Sequence, residues 1–445
     1  MTEAPPELTS AIAALWQGPP LDLGGSPRSP QFSNLVQACV QAFPEAAGTT
    51  GKTCAPDTQG VSWALVNALR ATGTPWADED GVVPFPPAPE KVSAVIAEAM
   101  LAREVELIHL CPLDQADEWP ALRFGPCEVR RFRRDELSAT FQPARLRRHY
   151  SNYSFDAESF SRFTWLAVRE RRSLTQPVGS RALPILYQTL DQPFGAIEPY
   201  TRTWPAVVER AVFTLLMLPW ESMMEYRTFE WRSFRVPWSY TVNADPFARP
   251  ALPPRSDSLS WEPDIFDDPS TGETIELERP VVLPLESDAG PQFSAISDQR
   301  WKAVETALSS KLFNTLVVHF FVRAFSSEGI DEFLGHVIAI EAALGMARDH
   351  DRRSRPKIGT KDPGATERLA RRIATLTGDT TKAEDFNRIF SLRSDFVHGK
   401  HVGLISPSER IMARSLACEV ANKLVEVAVT EPGISREQYL ERLCP

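Results

Sequence analysis

Arg393 and His398 stand five positions apart in the segment Arg393-Ser394-Asp395-Phe396-Val397-His398-Gly399. Histidine titrates near neutral pH and can take up or give a proton there. The arginine fork matches phosphate oxygens two-on-two and keeps its charge. Together they suit chemistry at a phosphodiester. On a regular helix, positions five apart are offset by about 140°, so one helix does not converge them well. Fraying of the helix before Gly399 would help, as would a second copy supplying a second pair through an isologous interface. The competing reading is a helix-end ion site, with His398 on the terminal carbonyls and Arg393 paired to Asp395, Glu341 or Asp385.

Other residues invite chemistry less strongly. Glu341 interrupts an apolar helix face (Ile338-Ala339-Ile340-Glu341-Ala342-Ala343-Leu344) and either orients Arg393 or is an ordinary structural carboxylate. Arg348, Arg352, Arg353, Arg355 and Lys357, with Lys361, Arg368, Arg371 and Arg372 beyond, form the densest basic stretch. It would track an RNA backbone or else be a solvated loop. Asp349-His350-Asp351 resembles a metal-ligand run, but neighbouring residues rarely converge without further ligands, so no metal is expected. Ala46-Ala47-Gly48-Thr49-Thr50-Gly51-Lys52-Thr53 loosely matches a phosphate-binding loop. Such a loop succeeds a buried strand and opens a helix, whereas here Pro44 precedes the run and Pro56 and Asp57 interrupt the segment where the helix should begin. A P-loop nucleotide hydrolase is thus a third, weaker alternative. The aromatic run Tyr226–Tyr240 reads as half-buried strand rather than a base-stacking platform. His109, His149, His319 and His336 have no spacing that forms a triad.

The elements that must position these residues divide the chain in two. Of 38 prolines, 33 lie in residues 1–295 and 5 in 296–445. All tryptophans but Trp301 lie in the first part. Charge divides likewise: 296–445 carries a balance of +2 and the rest −12, for a total of −10. That total argues against a broad nucleic-acid coat or an anionic-membrane binder. Residues 1–104 read as helical and proline-rich, with helices near 10–17, 32–43, 60–71 and 90–104. Residues 105–295 read as strand-rich: 105–110, 121–124, 127–132, 163–168, 226–234, 238–242, 274–278 and 281–285, with a helix at 205–219 and a long loop over 243–273. Residues 296–445 read as wholly helical, with helices predicted at 298–325, 331–345, 365–376, 382–398, 408–429 and 434–443. The fold class is therefore α+β, a mixed first region succeeded by an all-α bundle. Six cysteines without a Cys-x-x-Cys pair, no leader-like N-terminus and no apolar run of spanning length point to a cytoplasmic protein.

With its helical context, the Arg393–Gly399 segment resembles a known family: the HEPN domains, in particular the Apea-like branch of bacterial defence proteins. The resemblance covers residues 296–445 and rests on Ile340–Leu344 and Arg393–Gly399. It implies a metal-independent endoribonuclease without a cofactor, acting as a homodimer on RNA. Arg393 and His398 would be catalytic, with Ser394 and Glu341 in support. Ser394 stands where ribonuclease members often carry Asn, Asp or His. The chemistry is coherent, because RNA carries its own nucleophile, the 2′-hydroxyl, beside each phosphate. The resemblance further implies an anti-phage role, residues 105–295 as sensor, and a phage-derived trigger or defence partner. A non-catalytic HEPN adaptor dimer is the alternative.

Overall fold

The computed structural model describes residues 4–21, 29–50, 55–74, 87–174, 177–182, 202–267, 270, 272–351, 353, 362–400 and 403–444. The fold is α+β; the described residues form one five-stranded antiparallel sheet, two small ribbons and many helices.

The first helices, Pro6–Trp16, Pro30–Ala42, Thr58–Thr72 and Pro89–Leu101, begin at or near a proline or at a capping aspartate. Proline suits a first turn because the N–H it lacks has no partner there. Their apolar faces (Leu8, Ile12, Leu35, Cys39, Leu65, Ile96) close on one another and on Phe247, a core of their own.

The sheet comprises β1 (Glu104–Leu113), β2 (Leu122–Phe124), β3 (Cys127–Arg131), β4 (Thr164–Ser173) and β5 (Tyr240–Asn243), in spatial order β2-β3-β4-β1-β5. Successive side chains point to opposite faces. Leu110, Trp165 and Tyr240 enter a small aromatic core with Phe141 and Phe160. Cys111, Phe124, Val129 and Leu166 face the other way, onto the Ala206–Leu216 helix and Trp220.

That second core does not stop at residue 295. It continues through the terminal bundle: α1 (Asp298–Ser309), α2 (Val317–Ser326), α3 (Gly329–Leu344), α4 (Ala365–Thr377), α5 (Thr381–Val397), α6 (Pro407–Thr430) and α7 (Arg436–Arg442). Sheet and bundle meet at the β2–β3 turn. Gly125 has φ +54°, its N–H donates to Asp298 Oδ1 at 2.7 Å, and an added Cβ would lie 2.4 Å from the Trp301 ring. Trp301, the isolated tryptophan of the last third, is thus the residue that receives the sheet.

Four expectations need correction. The helix expected over 298–325 is two helices. Ser309 and Ser310 turn their hydroxyls onto Glu305 and Ala307 carbonyls, and Ser310 takes ψ 160°, which ends α1. The segment 226–234 is turn and irregular chain rather than strand, because Glu230 Oε1 takes the backbone N–H groups of Trp231 and Arg232. The expected loop 243–273 contains β6 (Trp261–Asp267), which pairs with β7 (Thr274–Pro280) in an exposed ribbon. Pro263, Asp264 and Asp267 interrupt the apolar alternation by which a strand at 261–267 would have been read. Residues 281–285 form single bonds (Leu283 N–H to Gln115 O, 2.9 Å) and one bridge rather than a strand.

Candidate functional site

The motif ends α5. His398 is the residue at which the helix stops (φ −89°, ψ 11°), and its N–H donates to Ser394 O at 2.9 Å. Gly399 comes next with φ +68°, its N–H on Phe396 O at 3.1 Å, and the Lys400 N–H reaches back to Asp395 O at 2.9 Å. This six-to-one, five-to-two closure needs a left-handed residue, and glycine supplies it at least cost. The motif's last letter is thus a backbone requirement. It fixes where the His398 side chain leaves the helix, and His398 is exposed. Phe396 and Val397 beside it are exposed apolar residues, at 43% and 53%.

Arg393 points the other way, into the bundle. Its Nη2 lies 3.6 Å from Glu341 Oε2 on α3, both side chains about a quarter exposed, and its guanidinium carbon lies 5.7 Å from the Phe390 ring centre. Its Nε is buried without a hydrogen-bond partner. Asp395 pairs with Lys400 (3.0 Å) and Asp385 lies by Lys382, so of the three possible partners Glu341 is the one engaged. Burial pushes the Glu341 carboxyl above its usual range, against the pull of Arg393 and His350. Ser394 is half-buried, and its carbonyl receives the His398 N–H. Arg393 and His398 therefore share one helix end without touching, as the helical offset requires.

Helix α3 is what holds Glu341 in place. At its first turn Glu332, 1% exposed, accepts from Trp231 Nε1 (2.6 Å), Arg410 Nε (2.9 Å) and Arg232 Nη2. Glu230 joins through Arg410 Nη2 at 2.8 Å. One turn on, His336 packs edge-on to Trp231, and burial drives its imidazole well below the usual range, so it is neutral. At the other end of α3, Arg436 caps the carbonyls of Ala342, Ala343 and Gly345. Glu341 also lines a cavity of about 590 Å³ with Thr315, Leu316, Arg348 and Arg436.

The basic stretch is only partly a surface. Arg348 is half-buried and paired to Glu441. Arg353 is exposed. Arg352, Arg355, Lys357 and Lys361 lie outside the described residues. Arg368 and Arg372 are buried. Arg372 grips Asp349 with two nitrogens and donates to the Leu344 and Leu440 carbonyls. Asp349 is thereby committed to tying the turn after α3 to α4, not to a metal. Among the described residues no His/Cys/Asp/Glu group is arranged to hold one, and no helix is long and apolar enough to cross a membrane. The phosphate-loop-like run lies partly outside the described residues. Thr49–Thr50 pairs with Ala55–Pro56, and the next helix opens only at Thr58.

Sequence reasoning singled out Arg393, His398 and Glu341, but it missed the Glu332–Arg232–Arg410 node. A signal existed: Glu332 and His336, four apart, fall on the buried face that also carries Ala339, Ile340 and Ala343. Compared with family models, curated proteins and solved structures, the chain matches none.

Proposed function

We propose that the protein is a metal-independent endoribonuclease of HEPN type, working as a homodimer in the cytoplasm. The observation that carries the reading is the motif's split geometry. Arg393 is held by Glu341, while His398 leaves the same helix end exposed between the apolar residues Phe396 and Val397 and Gly399. A two-fold partner docked on that face sets two such ends side by side, and one subunit's His398 then serves a phosphate held by the other's Arg393. The 2′-hydroxyl gives its proton to the His398 imidazole as its oxygen bonds to phosphorus. The P–O5′ bond breaks, and the leaving oxygen takes a proton back from that imidazolium. Arg393 balances charge on the phosphorane oxygens. The products are a 2′,3′-cyclic phosphate and a 5′-hydroxyl, and no cofactor enters. Arg348, Arg353 and the neighbouring Arg352, Arg355 and Lys357 would guide the RNA backbone. An anti-phage role and a phage-derived trigger or partner protein belong to the same proposal, through the HEPN resemblance.

The test is incubation of the full chain with total RNA in EDTA, with end-group analysis of the fragments. His398→Ala and Arg393→Ala should each lower cleavage at least about 100-fold, the scale of a lost general acid–base or oxyanion partner. Wild-type cleavage no faster than that of either variant removes the catalytic reading. One observation favours the adaptor alternative, namely that Arg393 is turned inward onto Glu341. On that reading both variants remain dimeric and neither cleaves.

A further inference from the structure

The chain's negative charge is concentrated in one place. Residues 261–280, which hold the β6–β7 ribbon, carry seven carboxylates against the single base Arg279, so −6 of the net −10 lies there. The ribbon is fastened at one end. Trp261 donates from Nε1 to Ser256 O at 2.9 Å and meets the Phe163 ring edge-on at 5.0 Å, and Ser260 is held by both carboxylate oxygens of Asp114. Beyond that end the ribbon is bare: Ile265, Phe266 and Leu277 are 61%, 43% and 49% exposed. Among the described residues no third strand lies on either edge. We propose that this ribbon docks a basic polypeptide segment, which adds as a third strand beside β7.

The strand register specifies the partner's pattern. Asp264 lies opposite Leu277 and Phe266 opposite Ile275, so Phe266, Ile275 and Leu277 share one face. Ile265 lies opposite Glu276 and Pro263 opposite Glu278, which puts both glutamates on the other face. Strand β7 thus alternates apolar and acidic side chains, Ile275-Glu276-Leu277-Glu278, and a strand beside it is matched by alternating apolar and basic ones. In strand addition the main-chain hydrogen bonds supply affinity, and the alternating side chains supply selectivity. At the fastened end Arg162 donates to the Glu278 carbonyl, so the length open to a partner runs over residues 274–277. Charge selects the occupant. Carboxylates on an open edge are a common guard against self-pairing, and two copies of a ribbon this acidic repel each other. Nucleic acid and anionic membrane are repelled as well. Guarding an edge does not call for exposed Phe266 and Leu277 beside the charges, whereas an apolar patch with a polar rim marks a protein-docking surface. A lysine- or arginine-bearing extended segment satisfies the charge and the apolar patch together.

The test is fluorescence anisotropy of a labelled peptide of about eight residues, lysine alternating with valine, titrated with the full chain at about 150 mM salt. It should bind with Kd below about 100 μM. A peptide of the same composition with its lysines and valines in two blocks should bind at least about tenfold more weakly, as should the alternating peptide with every second amide N-methylated, which lacks strand donors. Glu276→Lys with Glu278→Lys, and separately Phe266→Ser with Leu277→Ser, should each lose at least about tenfold. Glu7→Lys with Glu98→Lys makes the same change of net charge on exposed sites of the first helices and should bind as wild type does. Circular dichroism of each variant confirms that it is folded, and sedimentation of the Phe266→Ser, Leu277→Ser chain should match wild type. The inference is overturned if the alternating peptide does not bind in that range, if the block or N-methylated peptide binds as tightly, if either ribbon variant binds as well as wild type, or if the apolar variant splits a wild-type dimer, which would make a second copy the occupant.

Discussion

Glu332→Ala is the most informative single change for the fold that holds the site. The carboxylate is 1% exposed and gathers Trp231 Nε1, Arg410 Nε and Arg232 Nη2. Truncation leaves the Trp231 indole N–H without its acceptor, at a cost of about 1–3 kcal/mol. It also leaves Arg232, itself 2% exposed, with Glu230 at 3.3 Å as its remaining counter-charge. Breaking one side of a buried pair costs about 3–5 kcal/mol, which includes the unpaired groups. The expected loss is therefore about 3–5 kcal/mol, against a total domain stability of about 5–15 kcal/mol. Urea unfolding monitored by tryptophan fluorescence reads it directly. With a slope near 2 kcal/mol/M the midpoint falls by about 1.5–2.5 M. Glu332→Gln keeps an acceptor and loses only the charge, so its shift is smaller. Adding Arg232→Met to Glu332→Met should recover part of the loss, since a buried ion pair replaced whole by apolar groups is often neutral. A Glu332→Ala cost below about 1 kcal/mol at unchanged slope would refute the claim that this node fastens residues 230–235 to the bundle.

Four further outcomes rest on named contacts. Glu341→Gln should leave stability within about 1 kcal/mol of wild type or raise it, because burial already disfavours the charge. On the ribonuclease proposal, the same variant should slow RNA cleavage at least about tenfold, and unchanged cleavage means that Glu341 does not orient Arg393. Burial pushes the Asp349 carboxyl up, but Arg372's hydrogen bonds and charge outweigh it and hold the group below its usual range. That stability is present above the unfolded value of about 3.9 and is lost as pH falls through the lower folded value. Asp349→Asn should therefore be weaker at pH 7 and lose less on acidification below pH ~4 in urea melts. Gly125→Ala combines φ +54° with a 2.4 Å approach to Trp301 and should cost about 2 kcal/mol or more by thermal unfolding. Burial pushes the Cys39 and Cys111 thiols up to about 12, so both should resist a thiol reagent at pH 8 until urea is added, as mapped by mass spectrometry.

The amino-acid sequence by itself determined the elements of the bundle and the place of the motif. Five of the bundle helices lie within a residue or two of their predicted spans, because each has a buried stripe at helical spacing and a local stop signal such as Gly378 or Gly399. The motif's position at the end of α5 was legible for the same local reason. What the sequence hid depends on neighbours far along the chain. Tyr226–Phe234 has strand-like alternation, yet the backbone N–H groups of Trp231 and Arg232 go to Glu230 and the Arg232 side chain to Glu332, 100 residues away. The proline and charge boundary at 295 is real in composition, but the core crosses it, since Trp301 and the Ala206–Leu216 helix bury surface from both sides. Only the tertiary structure decided that Arg372 is an internal tie rather than an RNA contact, and that Arg393 turns inward while His398 turns out. Burial and ion pairing are properties of assembled surfaces, and one-dimensional periodicity reports only which face of each element is apolar.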